Sequence, residues 1–135
     1  MIDLKNKVIM ISGANRGIGY ATAKLLKEKA CILSLAARNP DEIKVGGDNV
    51  LKCMWDAKEK KLSKNWVSET ISHFGKIDGL VMNAGVELGG DLEGDSEEEF
   101  DEMFEVNFKG PLRLVRETLP AVSYTHLRAH ETKAN

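Results

Sequence analysis

Four short apolar runs alternate with longer stretches whose apolar residues recur every three or four positions, a rhythm that predicts strands alternating with helices. The runs are Val8 to Ile11, Cys31 to Ala36, Val50 to Trp55 and Gly79 to Asn83. They are continuous rather than alternating, as in parallel strands covered on both faces. After the first run, Ile18, Ala21, Leu25, Leu26 and Ala30 trace one helical face, with Lys24, Lys27, Glu28 and Lys29 mostly opposite. Between the third and fourth runs, Leu62, Trp66, Val67, Thr70, Ile71 and Phe74 form a second such face, and Gly75 is placed to close that helix. Residues 41–49 are polar, contain Gly46-Gly47, and read as a surface loop or a frayed helix.

Beyond the fourth run lies a glycine-rich acidic loop, Val86 to Asp95, and then Ser96-Glu97-Glu98-Glu99, a capping box that opens a long helix. Its apolar stripe is Phe100, Met103, Phe104, Asn107, Phe108, Leu112, Val115 and Leu119, with a kink expected at Gly110-Pro111. The whole pattern predicts an α/β fold: a doubly wound parallel sheet of the Rossmann type, four strands in spatial order 3-2-1-4, with helices on both faces.

Candidate chemistry concentrates where the first strand ends, at Ser12-Gly13-Ala14-Asn15-Arg16-Gly17-Ile18-Gly19. Gly13 suits the positive φ of a tight turn, and Gly17 and Gly19 have no Cβ to keep a ligand or a packing strand away. Unpaired backbone N–H groups at the start of the following helix, with its dipole behind them, form a site for a pyrophosphate. The spacing Gly-x-x-x-Gly-x-Gly is not the Gly-x-Gly-x-x-Gly of the usual dinucleotide fingerprint. It resembles the short-chain dehydrogenase/reductases, whose shorter single-domain branch carries Thr-Gly-x-x-x-Gly-Ile-Gly here, with Ser12 keeping the hydroxyl of the Thr.

The resemblance extends from Lys5 to Pro120. Met82-Asn83-Ala84-Gly85 matches the family's Asn-Asn-Ala-Gly except at Met82, and the resemblance implies that this segment steadies the sheet centre and passes the adenosine ribose. Met82 should leave a smaller polar network there. Asp56 and Ala57, after the third strand, are implied to meet the adenine ring; an Asp that caps the next helix is the equal alternative. Asn107, in Asn-x-x-Gly, falls on the family's active-site Asn, implied to bend its helix and hold a water in a proton relay; the plainer reading is an Asn beside a helix bend. The expected cofactor-binding set is therefore Gly13, Asn15, Arg16, Gly17, Ile18, Gly19, Arg38, Asp56, Ala57, Asn83, Ala84 and Gly85, with Asn107 catalytic and no metal.

Cofactor choice in such folds is made at the end of the second strand, where an acidic residue accepts from the ribose of NAD and an arginine receives the extra phosphate of NADP. Here stand Ala36-Ala37-Arg38, with Arg16 in the glycine loop. Both resemble the basic positions of NADP-preferring members, so NADP is expected over NAD; two solvated surface arginines are the alternative. The family implies hydride transfer between nicotinamide and an alcohol or carbonyl carbon. Its chemistry also uses a Ser and a Tyr-x-x-x-Lys. Tyr124 has Arg128 at the fourth position, and Tyr20-Ala21-Thr22-Ala23-Lys24, directly behind the glycine loop, spells the pattern by coincidence. The chain is accordingly expected to be an inactive N-terminal portion of a parent oxidoreductase, with a non-catalytic dinucleotide-binding module or a structural fragment as the rival classes.

Composition narrows the picture further. With 135 residues, 42% hydrophobic, 30% charged and a net charge of −2, one ordinary globular domain is expected, and a basic nucleic-acid binder is not. No run approaches membrane-spanning length and the first residues lack a signal-peptide plan, so the cytoplasm is the expected location, without membrane partners. Cys31 and Cys53 sit in or beside buried strands and read as reduced core thiols. The parent is expected to form homo-oligomers. Residues 122–132 fit no structural period and resemble a translated transposon-end adapter used in DNA library preparation. Residues 1–120 are thus expected to be the N-terminal part of the NAD(P)-binding domain and 121–135 a non-native tail, which makes the His126/His130 pair accidental.

Overall fold

The structure, a computed structural model, describes residues 1–87 and 93–122. β1 (Val8–Ser12) pairs in parallel with β2 (Ile32–Ala37), placing Ile11 against Leu35. On its other side β1 pairs with β4 (Gly79–Val81), Ile11 against Val81. β2 pairs with β3 (Val50–Met54), Ala36 against Cys53. The order β3-β2-β1-β4 is the one the alternating pattern predicts.

Alternation along the strands divides the interior into two layers. Ile9, Ile11, Leu33 and Leu35 face α1 (Gly17–Glu28) and its buried Ala23. Met10, Ala36 and Cys53 face the opposite layer, where Trp66 and Val67 of α2 (Lys60–Phe74) pack with Leu114 of α4 (Gly110–Val122). A closed polar ring ties this second layer to the sheet. Trp66 Nε1–H donates to Ser34 Oγ at 2.8 Å, and the Thr70 hydroxyl donates to the Trp66 carbonyl at 2.8 Å. The Thr70 proton being so engaged, Ser34 donates to Thr70 at 2.7 Å. Beside it, Trp55 Nε1–H donates to Ser63 Oγ at 2.9 Å. Both cysteines are buried and free; burial pushes the Cys53 thiol up to about 12, and its hydrogen bond to Glu69 adds to the rise.

Three helical expectations are corrected. In α1 the buried residues are Gly19 and Ala23, with Tyr20 and Leu26 partly covered, whereas Ile18 is 78% and Leu25 53% exposed. Small side chains at 19 and 23 let the helix approach the sheet closely, and that contact sets its rotation. Ala30 lies outside the helix in the left-handed region, φ 61°, with Cys31 N–H closing back on the Leu26 carbonyl. In the long C-terminal rod, Val106, Gly110, Leu114 and Thr118 are buried, while Phe100, Phe104, Phe108, Leu112 and Leu119 of the expected stripe are exposed.

α3 (Glu97–Phe104), opened by the Ser96–Glu99 capping box, passes into a π-helical turn over Glu105–Lys109, the turn that directly precedes Gly110-Pro111 and α4. The polar stretch after β2 is a 3₁₀ turn, Pro40–Glu42, followed by two buried anchors, Ile43 and Val45, that its composition conceals. Gly75 closes α2 in the left-handed conformation as expected, φ 78°. α4 runs through Val122; Tyr124, His126, Arg128 and His130 lie outside the described residues.

Asp78 anchors the start of the sheet. Burial pushes its carboxyl up, but the Val8 N–H at 2.9 Å and the Lys76 ammonium at 2.9 Å outweigh this and hold it below the ordinary value. A folded-state pKa below the unfolded one adds stability that is complete above the ordinary carboxylate pKa, about 4, and is lost as pH falls through the folded value. Urea midpoints taken from pH 6 to pH 2 should drop in acid, and drop less steeply in Asp78→Asn; parallel curves for the two proteins would contradict this role.

Candidate functional site

The turn between β1 and α1 is shaped by contacts within itself. Gly13 and Gly17 adopt φ of 67° and 56°. A Cβ on Gly19 would stand 2.2 Å from the Gly13 carbonyl oxygen, whereas one on Gly17 would meet nothing within 4 Å among the described residues. Gly17 combines a left-handed backbone with open space at the cleft, whereas Gly19 makes room for the carbonyl of its own turn.

Ser12 explains why a hydroxyl belongs at the end of β1. Its Oγ accepts from the N–H groups of Asn83 at 3.0 Å and Ala84 at 3.1 Å, and Asn83 Nδ2 donates to the Gly13 carbonyl at 3.2 Å. The segment after β4 is thereby tied to the glycine turn. Met82, where the family pattern has its first Asn, is 46% exposed. α1 itself begins at Arg16 with no side-chain cap and no acidic residue in its first turn. The first N–H groups of a helix have no acceptor within it, so this end suits an anion.

Around these edges, at the C-terminal ends of the strands, lies a cleft of about 590 Å³. Gly13, Asn15, Arg16, Gly17, Ile18, Arg38, Asp56, Ala57, Asn83, Ala84 and Gly85 all line it. Gly19 does not, being buried beneath the turn, and neither does Asn107. Asp56 Oδ1 accepts from the Lys58 N–H at 3.0 Å; the residue in the capping position of α2 is Glu59. Asp56 therefore bends the loop rather than capping the helix. Tyr20 packs partly against the core and Lys24 is exposed, and neither reaches the cleft.

Asn107 occupies the middle of the π turn. Its Oδ1 accepts from the Val86 N–H at 2.8 Å and its Nδ2 donates to the Val86 carbonyl at 2.7 Å, so one side chain satisfies both backbone groups of a cleft residue. Gly110 lies against Ala57, and Arg113 Nη1 donates to the Ala57 carbonyl at 3.2 Å, which seats the rod on the loop after β3. Arg113 also pairs with Glu105 at 2.7 Å and holds that carboxyl below its ordinary value.

Among the described residues, Arg16 and Arg38 make no ion pair, whereas Glu42, a further lining residue, accepts from Asn15 Nδ2 at 3.3 Å. Glu42, Lys58 and Glu102 were not legible as site residues. Each is one charge among many in a polar stretch, and only the fold brings them to the cleft. No group of three or more metal-ligating side chains occurs among the described residues, and no helix there is long and apolar enough to cross a membrane.

A parallel sheet in order 3-2-1-4, with a glycine turn, an uncapped helix start and a cleft over the strand ends, defines a dinucleotide-binding α/β protein of the Rossmann type. The model of the short chain dehydrogenase family matches residues 7–129, and the chain belongs to that family. An uncharacterized oxidoreductase of Listeria monocytogenes is 36% identical over 127 residues, which cover 89% of this chain and 51% of that protein. The chain spans about half the length of this curated relative. Among solved structures, a 3-ketoacyl-(acyl-carrier-protein) reductase from Brucella melitensis complexed with NADH is similar with a TM-score of 0.86 at 28% identity, covering 93% of this chain and 54% of that one. An alcohol dehydrogenase from Thermococcus sibiricus complexed with 5-hydroxy-NADP has a TM-score of 0.83 at 33% identity, covering 90% and 55%. The family is one of oxidoreductases that bind a nicotinamide dinucleotide and a small-molecule substrate.

Proposed function

We propose that this chain is the adenosine-binding part of an NADP-dependent oxidoreductase acting on an alcohol or carbonyl compound. The observation that carries the reading is the pair Arg16 and Arg38, both lining the cleft without an ion-pair partner among the described residues. An acidic residue at the end of β2 would repel the extra phosphate of NADP; Arg38 stands there instead, and a charge-assisted contact contributes about 1.5–3 kcal/mol. The start of α1 at Gly17 and Ile18 offers its N–H groups to the diphosphate, with Gly13, Asn15 and Arg16 shaping the turn before it; Asp56 and Ala57 border the base, and Asn83 to Gly85 border the ribose. Gly19 acts beneath the turn.

The nicotinamide, when bound, supplies or accepts the hydride. Asn107 contributes by holding Val86 at the inner edge of the cleft. Within residues 1–120 the family's Tyr-x-x-x-Lys is spelled only by Tyr20 to Lys24, which lies away from the cleft, so in this proposal the chain binds cofactor without turnover. The exposed stripe Phe100, Phe104, Phe108, Leu112 and Leu119 supports a homo-oligomeric parent, and the composition supports a cytoplasmic one.

Titration of the purified chain should give NADP at least about tenfold tighter binding than NAD, one such contact being enough at ~1.4 kcal/mol per factor of ten. Arg38→Asp should remove or reverse the preference. Equal affinities in the unmodified chain would end the NADP reading, and sustained NADPH oxidation with a panel of carbonyl compounds would end the claim of inactivity.

A further inference from the structure

Lys58 and Glu102 face each other across the mouth of the cleft. Lys58 stands on the loop between β3 and α2, Glu102 on α3; both line the cavity, and their side chains form an ion pair. The hydrogen bond to Glu102 raises the Lys58 pKa, with Asp56 assisting and Arg38 opposing, so the ammonium lies within the field of a cleft arginine. Both side chains remain substantially exposed, at 49% and 41%. Such a pair is weak and exchangeable.

We propose that Lys58 is a third cationic arm of the cleft, set aside by Glu102 until a dinucleotide carrying an extra phosphate draws it over, and that the pair thereby adjusts discrimination between the phosphorylated and unphosphorylated cofactors. The inference rests on the reading of Arg16 and Arg38 above. A phosphate held by two arginines carries more charge than one carboxylate, and it would share the cleft with Lys58, which lines the same cavity as Arg16 and Arg38. Binding that phosphate turns the repulsive neighbourhood into a shared anion site. Glu102, released, is exposed enough to be solvated by water.

The two members of the pair then have opposite effects. Glu102→Gln frees the ammonium and removes a negative charge from the mouth, which should raise the preference for NADP over NAD about threefold. Lys58→Met removes the cation and leaves Glu102 as a bare anion facing the phosphate, which should lower the preference about threefold. These sizes follow from the range for exposed charge pairs. Both effects should shrink near 0.5 M salt, where screening shortens the reach of exposed charges to a few ångströms, about 4 Å. A pair that merely tied α3 to the loop would be broken equally by either substitution, and both variants would shift the ratio the same way.

The experiment is calorimetric titration of the full chain with NADP and with NAD at low salt, for the unmodified protein, the two variants and Lys58→Arg, which should keep the preference. The NAD affinity serves as the internal measure that each variant retains a formed site. A preference in the unmodified chain that neither variant alters, or that both alter in one direction, overturns this inference alone. Equal affinities in the unmodified chain overturn the arginine reading and this one with it.

Discussion

Gly19→Ala is expected to weaken dinucleotide binding by about 10- to 100-fold, the loss of roughly one charge-assisted contact at about 1.5–3 kcal/mol. The added methyl would lie 2.2 Å from the Gly13 carbonyl oxygen and 2.5 Å from Asn83 Nδ2, so the backbone of the turn has to move. Moving that carbonyl disturbs its bond from Asn83 and shifts the first N–H groups of α1, to which the proposed function assigns the diphosphate. Overpacking of this kind also costs about 1–3 kcal/mol of stability. Gly17→Ala supplies the contrast. With open space around it, that substitution carries only the left-handed backbone penalty, about 1–2 kcal/mol, and a smaller loss of affinity. Titration with NADP alongside thermal melting separates the two, and undiminished affinity in Gly19→Ala would contradict the role given to this turn.

The largest expected loss of stability belongs to Trp66→Ala. Trp66 is 1% exposed, its ring centroid lies 6.0 Å from that of Trp55, and its indole N–H opens the Ser34–Thr70 ring of hydrogen bonds. Truncating a buried Trp costs about 3–5 kcal/mol, a large share of the roughly 5–15 kcal/mol that holds a domain folded. Trp66→Phe keeps most of the packing and loses chiefly one hydrogen bond, about 1 kcal/mol. Urea denaturation of both variants should show this ordering. Equal midpoints for the two would mean that packing contributes little here and the donor nearly everything.

The glycine turn could be read directly from residues 8 to 19, because a tight turn demands particular residues at particular places and the demand is local. The same holds for Gly75 at the end of α2 and for the Ser96–Glu99 capping box. The order of the strands was legible for a related reason: continuous apolar runs joined by helices admit few right-handed arrangements. Which face of each helix turns inward was not. α1 and the C-terminal rod both carry apolar residues on more than one side, and a periodicity identifies a stripe without saying what it meets. Val106, Gly110, Leu114 and Thr118 won the inner position because small residues at 110 and 118 let the rod come down on Ala57 and α2.

The residues alone specified the alternation of strands and helices and the glycine turn after β1 with Arg16 in it, since each depends on neighbours within a few residues, whereas Arg38 comes to the same cleft through the pairing of β2 with β1. The packed fold was needed to show that Gly19 yields to a carbonyl of its own turn, that Asn107 reaches Val86, and that Lys58 meets Glu102 at the cleft. Those contacts join residues 6 to 44 positions apart, and their partners are set by how helices seat on the sheet, a matter of shape that no local pattern encodes.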